Sequence, residues 1–193
     1  MKKLICFLFA FLFLLSAAGC GGKPIDTTWM ENPDTTVTEV GTFGMEKLYS
    51  AALNAEQMTI SSVIHFPIYK FDTLEELTQF KDSLEHPERL STSLYKYDGI
   101  PSFNEATAKY DETFFSGNAL LLVYVGAHTG TYRFAVDTIT DDGTSLCIQI
   151  AETTHAELVT CDTSGWFITV AVPDSAAASY TEFDAVLAEG SDC

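Results

Sequence analysis

Ala119-Leu120-Leu121-Leu122-Val123-Tyr124-Val125 reads as a β-strand, and three further strand-like runs follow it: Tyr132 to Ile139, Leu146 to Ile150 and Trp166 to Val172. Short turns separate them, the pattern of a β-meander or small sandwich. The second and third runs are joined through Asp141-Asp142-Gly143-Thr144, where glycine can take the positive φ of a tight hairpin. Arg133, Ala135 and Asp137 alternate with Tyr132, Phe134 and Val136, which predicts one solvated face.

Upstream the periodicity changes. Val63-Ile64-His65-Phe66-Pro67-Ile68-Tyr69-Lys70-Phe71 is apolar enough for a strand, and Pro67 confines it to an edge or a bulge. Asp72 with Glu75 resembles a capping box, and Leu74, Leu77, Phe80 and Leu84 recur at helical spacing until His86-Pro87. Residues 88–102 read as a loop. A second helix is expected from Asn104, with Ala106, Tyr110 and Phe114 on one face, ending by Gly117-Asn118. The expected fold is therefore α+β: an antiparallel meander or small sandwich with two short helices packed against it. A single domain spans residues 37–193.

The N-terminus addresses this domain to a membrane. Lys2 and Lys3 precede an apolar run from Leu4 to Leu15 that ends in Ser16-Ala17-Ala18-Gly19-Cys20. Leu4 to Ala18 as a helix would rise ~22 Å, too short for the ~30 Å hydrocarbon of a bilayer. The pattern is instead that of an export signal, residues 1–19. It resembles a bacterial lipobox, in which the thiol of Cys20 is diacylated and becomes the first residue of the mature chain, holding it on the extracytoplasmic face of the cell membrane. Residues 20–36, including Gly21-Gly22-Lys23-Pro24 and Asn32-Pro33-Asp34, read as a tether interrupted by Trp29 and Met30, which dock on the domain or on the membrane surface.

Charge excludes some partners. The chain carries a formal charge of −17, and losing Lys2 and Lys3 with the signal takes it to −19. Such a chain repels phosphate backbones and anionic head groups, so nucleic acid is not an expected partner. The 5 cysteines do not make a disulfide scaffold, because Cys6 leaves with the signal and Cys20 carries lipid. Cys147 and Cys161 either pair or stay apart, Cys147 then serving as a small apolar residue, and Cys193 is terminal.

Catalytic patterns are missing from the sequence. There is no Gly-x-Ser-x-Gly elbow, phosphate-binding glycine loop, His-Glu-x-x-His or Cys-x-x-Cys. The histidines, His65, His86, His128 and His155, lack ligand spacing, and Asp141-Asp142-Gly143 lacks the alternating carboxylates of an EF-hand. His155 with Cys161 is the one conceivable base and thiol, and nothing else marks that pair. The expectation is a non-enzyme without cofactor or metal.

The stretch most suggestive of recognition is Gly126-Ala127-His128-Thr129-Gly130-Thr131-Tyr132, followed by Arg133. Gly-x-x-Thr-Gly-x-Tyr between strands, then the Asp-Gly hairpin and Phe167-Ile168-Thr169-Val170-Ala171-Val172-Pro173, resembles the C-terminal domain of PrcB-like lipoproteins over residues 119–173. His128 stands where that family usually has proline, and Thr131 where it has a second glycine. The resemblance implies an accessory role, stabilising an envelope protease complex, with His128, Thr129, Gly130, Tyr132 and Arg133 as partner-binding candidates. The upstream helices look like those of uncharacterised lipoproteins from low-GC Gram-positive bacteria. Physically, a loop held between two strands costs little entropy to order, and Tyr132 or Arg133 is an anchor residue type. The bland alternative has Gly126 and Gly130 serving turn geometry and Tyr132 in the core. Two other functions compete: a small-solute module whose pocket is lined by Tyr95, Tyr97, Phe103 and Trp166, and a chagasin-like protease inhibitor using the same Thr-Gly-x-Tyr loop.

Overall fold

A computed structural model describes residues 25–41, 45, 47–48, 63–93, 99–154 and 163–188. Among them are seven strands and four short helices. The strands are β1 (Thr35–Glu39), β2 (Ile68–Phe71), β3 (Asn118–Ala127), β4 (Phe134–Asp141), β5 (Ser145–Glu152), β6 (Ser164–Pro173) and β7 (Glu182–Leu187). The helices are α1 (Leu74–Ser83), α2 (Phe103–Thr107), α3 (Glu112–Phe115) and α4 (Asp174–Ala177). The fold is α+β, built as a small sandwich of two sheets with α1, α2 and α3 on the outer face of one and α4 against the core between them.

The first sheet has the order β1-β6-β3-β2 and is antiparallel throughout. The second has the order β4-β5-β7, with β4 and β5 antiparallel and β5 and β7 parallel. The four expected strands are thus present, and their pairing corrects a meander. β3 does not pair with β4; it pairs with β6, from Asn118↔Pro173 to Ala127↔Ser164. The reason lies in the unbroken apolar run from 119 to 125. A strand with one wet face alternates, whereas β3 must bury both faces.

Leu121, Val123, Val125, Trp166, Ile168 and Val170 point into the core between the sheets, against Ile139, Leu146, Ile148 and Ile150. Leu120, Leu122, Tyr124 and Phe167 point the other way, against Leu77 of α1, Phe103 of α2 and Tyr110. Phe167 stacks with Phe103 at 4.7 Å between ring centroids, and Phe80 lies 5.9 Å from Phe167. Each of these residues contributes about 1.5–3 kcal/mol by burial.

Local signals explain the remaining elements. The helix start falls one residue later than expected: Thr73 caps α1 by accepting from the Glu76 amide, and the Glu76 carboxylate accepts from the Thr73 amide in return. The single helix expected from Asn104 to Gly117 is two. Ser102 opens α2 with its own capping box, and Asp111 accepts from the Phe114 amide to open α3, so Tyr110 lies between them. At the start of the stretch read as a loop over residues 88–102, Pro87–Ser91 forms a 3₁₀ turn that buries Leu90.

The strand expected over 63–71 serves both sheets. Its first part pairs with β7, through His65↔Val186 and the Phe66 amide bonding the Ala185 carbonyl at 2.7 Å. Pro67 cannot donate to a ladder, and beyond it β2 joins the edge of the first sheet.

The hairpin at Asp141–Thr144 forms as expected. Gly143 has φ 86°, and Asp142 Oδ1 accepts from the amides of Thr144 at 2.9 Å and Ser145 at 2.7 Å. The alternation expected for β4 holds only in part, because a bulge between Val136 and Thr138 shifts the inward position from Phe134 to Ile139. Two strands went unanticipated, β1 and β7. Ordered structure also begins inside the stretch read as a tether: Thr28–Glu31 is a 3₁₀ turn, β1 starts at Thr35, and Ile25, Trp29 and Met30 pack on the core between the sheets.

Candidate functional site

The segment 126–133 leaves β3 at Ala127 and enters β4 at Phe134, so it crosses from one sheet to the other at one end of the sandwich. Five contacts brace it. Ser164, opposite Ala127 in the ladder, donates to the Thr129 carbonyl at 3.1 Å and accepts from the Trp166 indole at 3.1 Å. The Thr131 amide donates to Thr129 Oγ1 at 3.3 Å, an ST turn. Arg133 Nη1 donates back to the carbonyls of Gly130 at 2.8 Å and Tyr132 at 3.0 Å. The Arg133 guanidinium also lies 5.1 Å from the centre of the fully buried Trp166 ring.

The five candidate residues therefore have separate places. Thr129 and Gly130 are buried, and Arg133 is half-buried, occupied with the loop's own carbonyls and with Trp166. Arg133 thus braces the loop from within. A guanidinium fork suits this, since it can hold two carbonyls while stacking its face on an indole. Tyr132 is half-buried and packs against the core, and His128 is exposed. Gly126 lies within β3 and Gly130 in the turn that follows, and neither has a positive φ.

Beside the loop, a cleft of about 190 Å³ opens between the sheets, lined mainly by Ile64, Phe66, His128, Tyr132, Glu152 and Leu187. Its lining is mostly apolar, with His128 and Glu152 joining Tyr132 on the walls. Loop, β5 end, β7 end and the 63–66 segment converge here because β5 and β7 run parallel and finish at the same end. Ile64, Phe66, Glu152, Ser164 and Leu187 were not anticipated. The signal available for Ser164 was its place two residues before Trp166, and none marked the others.

His65 Nδ1 meets Asp184 Oδ1 at 2.9 Å, both side chains roughly half exposed, and Asp184 is the register partner of Cys147. Cys147 is a free, half-buried thiol whose pKa is raised above its ordinary value by burial and, secondarily, by Asp184. A raised thiol pKa disfavours the thiolate and makes Cys147 a poor nucleophile at neutral pH. Among the described residues, no three His, Cys, Asp or Glu side chains are grouped to hold a metal. Cys20, His155, Cys161 and Cys193 lie outside the described residues, and with them the 147–161 pairing and the His155–Cys161 pair.

Two of the residues expected to line a solute pocket, Phe103 and Trp166, do not meet. Phe103 and Trp166 are both fully buried and belong to cores on opposite sides of the first sheet, and Tyr95 and Tyr97 lie outside the described residues. A larger cleft of about 330 Å³, over Tyr69 and Phe80 and bounded by Ser83, Leu84 and Glu85, includes none of the candidate residues. Among the described residues, no helix is long and apolar enough to cross a membrane.

No protein-family model matches the chain, and neither the curated proteins nor the solved structures contain a match. The resemblance to PrcB-like lipoproteins thus rests on the residues quoted above.

Proposed function

We propose that this chain is a membrane-anchored extracytoplasmic lipoprotein whose domain is a non-enzymatic protein-binding module, an accessory to an envelope protein such as a protease complex. The observation that carries the reading is the pairing of a braced loop with a small apolar cleft. Thr129, Gly130 and Arg133 fix the loop, which leaves His128 on the surface and Tyr132 along the cleft wall. A rim that is already ordered loses little conformational freedom when a partner docks. The cleft, at about 190 Å³, takes one large apolar side chain of a partner and falls below the ~300 Å³ where small-molecule pockets begin. At this cleft, that size favours a protein partner over a free solute.

The test is chemical crosslinking and affinity capture from the native envelope, comparing the unaltered chain with His128→Ala/Tyr132→Ala. The expected result is one specific partner captured by the unaltered chain and lost from the variant at unchanged stability. Equal capture by both would remove the loop from the interface. Anchoring is tested separately by Cys20→Ser, which should release the chain into the medium.

A further inference from the structure

We propose that the cleft of about 330 Å³ beside α1 is a second binding site, for a small zwitterion with an apolar or aromatic body, the chemistry of a free α-amino acid such as phenylalanine. It is separate from the loop and its cleft, and so goes beyond the reading above. The cleft lies on the helical side of the first sheet, over the core that α1 and α2 cover. β2 is the outer strand of that sheet, and its Tyr69 and Phe71 belong to the helical side. Phe80 of α1 packs on both, 5.0 Å from the Tyr69 ring and 5.3 Å from the Phe71 ring. Met45, only 2% exposed, forms the floor. Leu48, Tyr69, Phe80 and Leu84 are half-buried, so four apolar side chains leave part of their surface open on one small hollow. Its volume stands at the lower end of the ~300–1,000 Å³ of small-molecule pockets, which suits a ligand of amino-acid size.

The polar groups select the charges of that ligand. Ser83, Leu84 and Glu85 bring the C-terminal end of α1 to the cleft. A helix C-terminus carries partial negative charge, and the Glu85 carboxylate adds to it. Lys81, the cation of that last turn, is held elsewhere: its ammonium donates to Thr107 Oγ1 at 2.6 Å and lies 5.4 Å from the centre of the Phe103 ring. This end of the cleft therefore suits an ammonium group. Lys47, from a separate segment, supplies the opposite charge and suits a carboxylate. Among the described residues, neither Lys47 nor Glu85 is in an ion pair, so the two charges on the cleft do not neutralise each other. The Tyr69 hydroxyl, kept protonated because burial raises its pKa, adds a neutral hydrogen-bond donor. The formal charge of −17 disfavours a ligand of net negative charge, and Lys47 disfavours a plain cation. A zwitterion meets neither penalty.

The experiment follows the amide NMR shifts of the isotope-labelled full-length chain in detergent micelles as L-phenylalanine is added, beside phenylacetate and phenethylamine, which each keep one of its charges. The proposal expects saturable shifts at residues 69–71 and 80–85, with both single-charge analogues binding severalfold more weakly. Lys47→Met should erase the preference over phenethylamine, and Glu85→Gln the preference over phenylacetate; both side chains are exposed, so neither substitution disturbs the core. His128→Ala/Tyr132→Ala should bind phenylalanine as the unaltered chain does. The site is overturned by an absence of saturable shifts up to about 10 mM phenylalanine, or by preferences that survive both charge substitutions. Loss of binding in His128→Ala/Tyr132→Ala would put the ligand in the other cleft and overturn it equally.

Discussion

Arg133→Ala strikes the brace of the recognition loop. The substitution removes two charge-assisted hydrogen bonds, to the Gly130 carbonyl at 2.8 Å and the Tyr132 carbonyl at 3.0 Å, and the stack on Trp166 at 5.1 Å. Hydrogen bonds to a charged group contribute about 1.5–3 kcal/mol each when well shielded, and an exposed cation–π contact about 0.5–1 kcal/mol. Arg133 is half-buried and both bonds come from one nitrogen, so the pair is counted as a single bond at the low end, about 1.5 kcal/mol, and with about 0.5 kcal/mol from the ring contact the total is about 2 kcal/mol. For a chain of this size that corresponds to about 4–8 °C in Tm. Urea unfolding followed by circular dichroism should show a lower midpoint at unchanged slope. Arg133→Lys keeps the charge but not the planar fork, and should recover only part of the loss. Hydrogen exchange gives a local check, since the Thr153 amide bonds the Arg133 carbonyl at 2.8 Å and should exchange faster in the alanine variant. A loss below about 0.5 kcal/mol, the usual scatter of a surface substitution, would refute the idea that Arg133 braces the loop.

Other perturbations reach further into the fold. Gly165→Ala would place its Cβ in collision with the Gly41 carbonyl and the Tyr124 hydroxyl, where Val40 and Gly41 amides bond the Gly165 carbonyl; thermal unfolding should show a loss of about 3 kcal/mol. Asp142 has its pKa lowered below 3.8 because its carboxylate accepts from the Ser145 and Thr144 amides. A depressed folded-state pKa means that its contribution is present above 3.8 and lost as pH falls through the lower folded value, so NMR should show the hairpin amides shifting in that acid range and Asp142→Asn abolishing the transition. Cys147, with its raised pKa, should react with iodoacetamide at pH 8 more slowly than the same thiol in urea, and an equal rate would contradict its shielding.

Much of the fold was legible because its signals are local. Asp141–Thr144 carries its own turn chemistry, Pro67 announces an edge, and the spacing of Leu74, Leu77 and Phe80 specifies a helix whichever tertiary partner it meets. Pairing order was not legible, since β3 and β6 come together across a hairpin that goes to the other sheet. The clue was present in residues 119–125, where an unbroken apolar run signals burial on both faces. Asp111 concealed a helix break because an N-cap residue also suits an exposed helix position. β7 was missed because Glu182 and Asp184 dilute its apolar pattern, and its parallel partner β5 lies far away in sequence.

At the site, the loop itself was visible from glycines between strands, yet the role of Arg133 was not. Its partners are carbonyl oxygens and an indole that faces it from β6. The cleft is a product of topology alone, since Ile64, Phe134, Glu152 and Leu187 come from four separate segments.

The most direct test of the partner-binding claim is site-specific photo-crosslinking in the native envelope, with a photoreactive residue at position 128, exposed on the loop, or at position 79 on α1. A single protein crosslinked from position 128 in a Tyr132-dependent manner, and absent from position 79, is the result the braced rim predicts. Crosslinks that are absent at 128, or the same from both positions, would contradict a partner-binding role for the loop.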